Sequence, residues 1–228
     1  MSDDLGKAML EAANKIESRL GPAAPDPSLA FLPDGEDPMV LQLVYSLLLW
    51  ESSHDSAQTS LTHLRTELCD FNELRVCSPI EVAAILPKEC GRREERADRI
   101  CTALGHVFLR EHALNLASLN AMTKREARQY LDATDGLPSF VAARMMLVSL
   151  GGHAFPADAR LVGVLHRIGV LKTDKEPADD LAVKLERSVR AADSPRVYGL
   201  LEMQAAIDPG PTKTSKRRSS KKPAGNKA

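Results

Sequence analysis

Few side chains of this sequence stand in patterns that could do chemistry. Four cysteines occur at Cys69, Cys77, Cys90 and Cys101. None is in a Cys-x-x-Cys spacing or beside a His-x-x-x-His, which argues against a zinc or iron–sulfur site and for reduced, packed thiols in a cytosol. No cofactor or metal is called for. Asp158 follows Gly151-Gly152 and Pro156 and opens a stretch of helical periodicity. A carboxylate there can cap the helix through its own oxygen, or hold a fixed negative charge against a reacting centre. Arg92, Arg96 and Arg99 fall on one side of another helical pattern, a face that can meet phosphates and more often meets only water.

The formal net charge of −1 conceals a partition along the chain. Residues 1–60 hold ten acids and three bases, residues 61–208 twenty-one acids and twenty bases, and residues 209–228 seven bases and no acid. The last segment, with Lys213, Lys216, Arg217, Arg218, Lys221 and Lys222, has no large apolar residue to offset the entropy of ordering it. It reads as a disordered arm. Such an arm releases counterions from nucleic acid, or serves as a solubilising tail or partner of the acidic N-terminal third. The N-terminus, Met1-Ser2-Asp3-Asp4, carries no secretory signal pattern. No apolar run approaches the roughly 18–20 residues of a membrane span.

Helical periodicity dominates, and an all-α fold of roughly ten short helices is expected. Leu5, Met9, Ala13, Ile16 and Leu20 make an apolar stripe over 4–20, stopped by Gly21-Pro22. A proline-rich linker follows, and Asp37-Pro38 starts a helix over 39–51 that carries Trp50. Ser78-Pro-Ile-Glu81 and Thr123-Lys-Arg-Glu126 are capping boxes that start helices near 79 and 124. Further helices are expected over 92–111, 138–150, 157–169 and 177–192, and from Ser194-Pro195 to about 207.

The most specific stretch runs from Leu131 to Val170: Asp-Gly136-Leu137-Pro138-Ser139-Phe140, an apolar helix, Gly151-Gly152, Asp158 and then Arg167-Ile168-Gly169-Val170. It resembles the helix-hairpin-helix DNA glycosylases of the endonuclease III superfamily, whose pattern runs L-P-G-V-G-R-K-T-A, an apolar helix ending in F-G, V-D-T-H and R-L-G-[LV]. Without gaps, Gly136 falls on the first hairpin glycine, Gly151 on the helix-ending glycine, and Asp158 on the catalytic aspartate. Pro38 to Ser52 looks like the family's P-F-E-x-L helix. The likeness is loose over 1–208 and specific only over 131–170.

The departures carry meaning too. Pro138 replaces the second hairpin glycine and removes an N–H that could face a phosphate. Phe140 stands where bifunctional members carry a Schiff-base lysine, so no amine supports lyase chemistry. Ala159-Arg160 replaces Thr-His, and no cysteine cluster follows Val170.

The resemblance implies two interleaved helical domains, endonuclease III-like. Residues 38–152 form a helix-hairpin-helix domain, and 153–208 form a second that packs with the first helix and linker, 1–37; the basic tail is 209–228. It implies a monofunctional glycosylase of base-excision repair, a monomer acting on duplex DNA. Asp158 would stabilise the positive charge that builds on the sugar as the glycosidic bond breaks, after the base has left the stack. Gly136, Leu137, Pro138, Ser139, Arg92, Arg96, Arg99, Arg160, Lys216, Arg217 and Arg218 would meet the backbone, and Ser52 would stand at the intercalating position. Phe140, Trp50 and Tyr45 would line the base pocket. Against this stands a catalytically degenerate member that binds DNA or another protein. In that reading Asp158 is a plain helix cap, the aromatics are core, and Ser52 is a helix end. The net −8 of residues 1–208 weighs against tight duplex binding by the folded body. The chain is expected in the cytoplasm, on the nucleoid if bacterial.

Overall fold

A computed structural model describes residues 2–24 and 36–208. Within them the fold is all-α, with α1 Ser2–Leu20, α2 Pro38–Leu49, α3 His54–Glu67, α4 Phe71–Val76, α5 Pro79–Ile85 and α6 Arg93–Glu111, followed by a 3-10 turn, Ala117–Asn120. Then come α7 Lys124–Asp132, α8 Ser139–Arg144 running into a π-turn at Met145–Ser149, α9 Ala159–Arg167, α10 Ala178–Ser188 and α11 Ser194–Ile207. No strand occurs among the described residues, and no helix among them is long and apolar enough to cross a membrane. The basic arm, with Lys216, Arg217 and Arg218, lies outside the described residues.

The helix starts follow the capping chemistry. Asp37 caps α2, its Oδ1 accepting from the Met39 and Val40 N–H groups at 2.7 and 3.0 Å, and its Oδ2 accepts from Leu116 N–H at 3.3 Å. One short side chain thus starts a helix and ties a distant turn to it. Ser78 with Glu81 and Thr123 with Glu126 close reciprocal boxes at α5 and α7. From Met39 to Leu49 every residue of α2 is buried. A helix apolar all round belongs at the centre, and α3, α6, α8 and the π-turn pack around it.

Two hydrophobic cores result. One gathers α2 to α8 and runs from Met39 to Ala154, with Tyr45, Leu104 and Phe140 among its buried members. The other joins Met9, Ala13 and Ile16 of α1 to Phe155, Leu161, Leu165, Leu181, Leu185, Val197 and Leu201. The π-turn straddles both, since Met145 and Met146 belong to the first and Leu147 to the second. An extra residue in the turn re-aims the following side chains, which is why the helix expected over 138–150 is α-helical only to Arg144.

The helices α3 and α4 are absent from the sequence expectations. Only Ala57, Leu61 and Leu64, with Ser60, are buried in α3, a thin stripe in a polar segment. Apart from α8, the expected helices occur with ends displaced by a few residues, most at α10, which stops at Ser188.

Gly136 closes the turn between α7 and α8 at φ +81°, and a Cβ there would meet the Arg99 carbonyl oxygen at 2.8 Å. Gly169 shares the positive φ, +80°, but has open space around it. Gly136→Ala is therefore expected to cost more than about 2 kcal/mol and Gly169→Ala only about 1, the strain without the clash. Thermal melts of the two variants check the order; equal losses would show that the approach to α6 contributes nothing.

Candidate functional site

Asp158 sits at the N-cap of α9, where the two cores meet. Its Oδ1 accepts from the Leu161 N–H at 2.9 Å, the bond that starts α9. Its Oδ2 accepts from the Glu51 N–H, also at 2.9 Å, across 107 residues of chain. Glu51 belongs to the corner between α2 and α3 and is held at φ +50°, a left-handed conformation costly for a residue with a Cβ. The carboxylate of Asp158 thereby fixes both the start of α9 and a strained corner of the opposite core. No part of that side chain reaches solvent.

Arg160 follows on the first turn of α9. Its Nη1 and Nη2 donate to Glu202 of α11 at 2.7 and 2.8 Å, and its Nε lies 3.5 Å from Asp158 Oδ2. His54 Nε2 is 3.2 Å from Glu202, and His54 Nδ1 is 2.8 Å from the Tyr45 hydroxyl. Arg144 completes the cluster, bonding the Tyr198 hydroxyl at 3.2 Å and the Ser46 hydroxyl at 2.7 Å. Burial alone would raise the Glu202 carboxyl, but Arg160 and His54 outweigh it and hold the group well below the usual carboxylate range. Burial would likewise lower Arg160, yet the carboxylates of Glu202 and Asp158 drive it upward. Burial pushes the Tyr198 hydroxyl up, keeping it protonated.

A cavity of about 380 Å³ opens over this cluster. Its polar floor is His54, Arg144, Tyr198 and Glu202, and its walls are Leu147, Val148, Pro195, Met203 and small residues including Ala24 and Gly199. A lining of mostly apolar residues with a few fixed polar groups is the usual make-up of a small-molecule site. Asp158 is not on the lining; the Arg160–Glu202 pair stands between it and the cavity.

The sequence candidates separate sharply in space. Tyr45, Trp50 and Phe140 do not line the cavity. Tyr45 and Phe140 are sealed in the first core, and the Trp50 ring lies under the guanidinium groups of Arg92 and Arg99, at 5.2 and 4.8 Å. The three arginines do not share a solvated face. Arg96 is fully buried and donates to the Leu47 and Gly91 carbonyls at 2.6 and 2.8 Å, satisfying the end of α2. Arg92 pairs with Glu51 at 2.7 Å, and Arg99 pairs with Glu95 at 3.0 Å. Arg160 faces the buried carboxylates and not the surface. Ser52 ends the α2 corner, its N–H bonded to the Leu49 carbonyl at 2.8 Å.

At the hairpin, Gly136 packs on the α6 backbone, Leu137 joins the first core and Pro138 precedes α8. The Ser139 hydroxyl bonds to the Asp179 carboxylate of α10, and the Asp135 carboxylate lies 3.1 Å from His106. Two acids thus border a tip expected to attract phosphate. Sequence reasoning missed His54, Arg144, Tyr198 and Glu202 as site residues. The one signal that could have found them is that Tyr198 and Glu202 stand four apart on α11 and so share a face.

Glu202→Gln leaves Arg160 without a full counter-charge in a buried place, and a loss on the order of 3 kcal/mol is expected at neutral pH. Because folding lowers the Glu202 pKa, its ionisation stabilises the native state above the unfolded value of about 4.3, and that contribution fades as pH falls toward the folded value. The gap between wild type and Glu202→Gln should therefore narrow below about pH 4. Urea melts across pH test it; a gap independent of pH would mean that Glu202 is not ionised in the fold.

No family model matches the chain, and no curated protein sequence matches it. Solved structures do match over nearly its full length. A thermostable thymine-DNA glycosylase aligns over 92% of this chain and 89% of its own, with 18% identity and a TM-score of 0.60. Endonuclease III, trapped as a covalent intermediate with DNA, aligns over 87% and 84%, with 11% identity and a TM-score of 0.63. The 3-methyladenine DNA glycosylase MagIII of H. pylori, bound to 1,N6-ethenoadenine, aligns over 90% and 97%, with 13% identity and a TM-score of 0.57. At such identities the shared property is the fold: this chain resembles the helix-hairpin-helix DNA glycosylases and has their endonuclease III-like all-α architecture.

Proposed function

We propose that this protein binds duplex DNA and hydrolyses the glycosidic bond of a damaged or mispaired base, as a monofunctional glycosylase with Asp158 as the working carboxylate. The observation that carries the reading is the placement of Asp158 at the start of α9, where the two cores meet, with one ion pair between it and a cavity of about 380 Å³. The relatives in fold support it, being DNA glycosylases by name. In this reading the two cores are two domains and the cavity receives the extruded base. Phe140, buried and without an amine, leaves no route to a Schiff base. As the bond from C1′ to the base breaks, its electron pair leaves with the base. The carboxylate of Asp158 opposes the positive charge left on the sugar, and water completes the hydrolysis.

A second reading has a specific observation in its favour. Both oxygens of Asp158 are engaged and its side chain has no exposed surface, as expected of a carboxylate kept only for structure. The protein would then be a DNA-binding member without catalysis.

Duplexes carrying uracil, thymine mispairs, alkylated and oxidised bases separate the readings, with hot alkali to reveal abasic strands. The glycosylase is expected to release one class of base and to lose on the order of 10²-fold or more of that rate in Asp158→Asn. The substitution keeps one oxygen for the Leu161 cap but turns an amide NH2 toward the Glu51 N–H, so some stability is lost and circular dichroism must show the variant folded before its rate is compared. Retarded complexes without strand breaks for any duplex would favour the non-catalytic binder, and no complexes at all would end both readings.

Residues 1–208 carry −8 and residues 209–228 carry +7, so the reading assigns the C-terminal segment most of the phosphate pairing. Deleting 211–228 should weaken binding and flatten its log–log salt dependence by about 0.9 for each phosphate that the shortened chain no longer neutralises. An unchanged slope would move that pairing to the folded body.

A further inference from the structure

Arg160 approaches two carboxylates and treats them differently. Both terminal nitrogens donate to Glu202, whereas the Nε–H, turned toward Asp158 at 3.5 Å, is buried and makes no hydrogen bond. An orphaned donor beside a carboxylate is unusual, because a buried N–H without an acceptor is penalised. The guanidinium is planar and its forked end is its better pairing edge for a carboxylate. That edge is spent on Glu202.

Glu202 in turn is held from behind. Its Oε2 meets His54 Nε2 at 3.2 Å, and the other ring nitrogen of His54 meets the Tyr45 hydroxyl at 2.8 Å. Tyr45 is sealed in the first core. A rigid series thus runs from α2 through α3 and α11 to α9, and it ends at the orientation of one guanidinium.

We propose that Glu202 is a positioning residue for Asp158: by engaging the fork of Arg160, it keeps that cation from closing on Asp158 Oδ2. That oxygen stays with the Glu51 N–H and, on the glycosylase reading above, keeps the negative charge that opposes the positive one built on the sugar. Without Glu202 a buried guanidinium must find another carboxylate. The one at hand is Asp158, which the fork would neutralise while displacing the Glu51 N–H.

The test combines a measurement that needs no activity with one that does. In Glu202→Gln, shown to be folded by circular dichroism, the Glu51 amide resonance should shift and its hydrogen exchange quicken as Arg160 competes for Oδ2. Single-turnover base release should fall on the order of 10²-fold. Adding Arg160→Met, which removes the cation, should return the Glu51 amide toward its wild-type position and restore the rate to within about tenfold. A merely structural Glu202 would give a double variant at least as impaired as the single one. The inference is overturned if the Glu51 amide does not move in folded Glu202→Gln, or if Arg160→Met rescues nothing. If wild type releases no base from any duplex, the glycosylase reading is what fails, and the Glu51 amide in the two variants alone decides the role of Glu202.

Discussion

The carboxylate of Asp158 is the contact on which the arrangement of the two cores turns. One oxygen starts α9 and the other holds the Glu51 N–H of the α2–α3 corner, so a single side chain sets α9 of the second core against the end of α2, the first core's central helix. The Glu51 corner is strained, and strain of that kind persists only where its surroundings over-determine it. Here they do: the Glu51 backbone is bonded to Asp158 and its side chain to Arg92, itself in a left-handed conformation at the start of α6. The two strained residues brace each other across a salt bridge.

Around that hub the protein buries an expensive group of charges. Asp158, Arg160, Glu202 and Arg144 are formally balanced, but balance does not return the hydration each gives up, and an apolar cluster of the same shape is often at least as stable. The cluster is therefore poorly explained as a device for stability. Glu202 and Arg144 lie on the floor of a cavity, Arg160 and Asp158 stand behind Glu202, and hydrogen bonds fix Arg144 on Tyr198 and Arg160 on Glu202. Fixed polar atoms beneath an apolar wall orient a guest without reorganising when it arrives. Polar groups that already satisfy one another also bind nothing tightly, so shape, more than hydrogen bonding, would govern what the cavity admits.

Much of the fold was legible because it rests on local rules. The capping boxes at Ser78 and Thr123, Asp37-Pro38 and the spacing from Gly136 to Asp158 each place an element on their own, and each is where the sequence puts it. The site was less legible, for a definite reason. Charged residues within helical patterns look alike whether they point to water or to a partner on another helix. Arg92, Arg96 and Arg99 lie within one and two turns of each other, yet Arg96 serves the end of α2 while its neighbours stack on Trp50. Arg160 read as a surface cation for the same reason, because its partner Glu202 lies 42 residues away. The aromatics erred the other way. Tyr45 and Phe140 fill the first core, and the cavity is walled by aliphatic residues.

The hairpin shows how far a shared fold constrains use. Its geometry is kept by Gly136 against α6, but its surface chemistry is not. Pro138 has no N–H to offer, Ser139 is engaged by Asp179, and Asp135 adds a further carboxylate near the turn. A phosphate arriving there would meet two acids where it needs donors, and like charges at close range repel even through solvent. A fold can outlast the interactions that first made it useful, which is why function has to be argued from the site. If this chain grips DNA, the positive charge must come from elsewhere. The body is net acidic, and the sequence concentrates seven bases in its last twenty residues. An arm of that kind supplies affinity without register. Register would then fall to the strained α2–α3 corner and the cavity beside it, the elements that Asp158 holds in place.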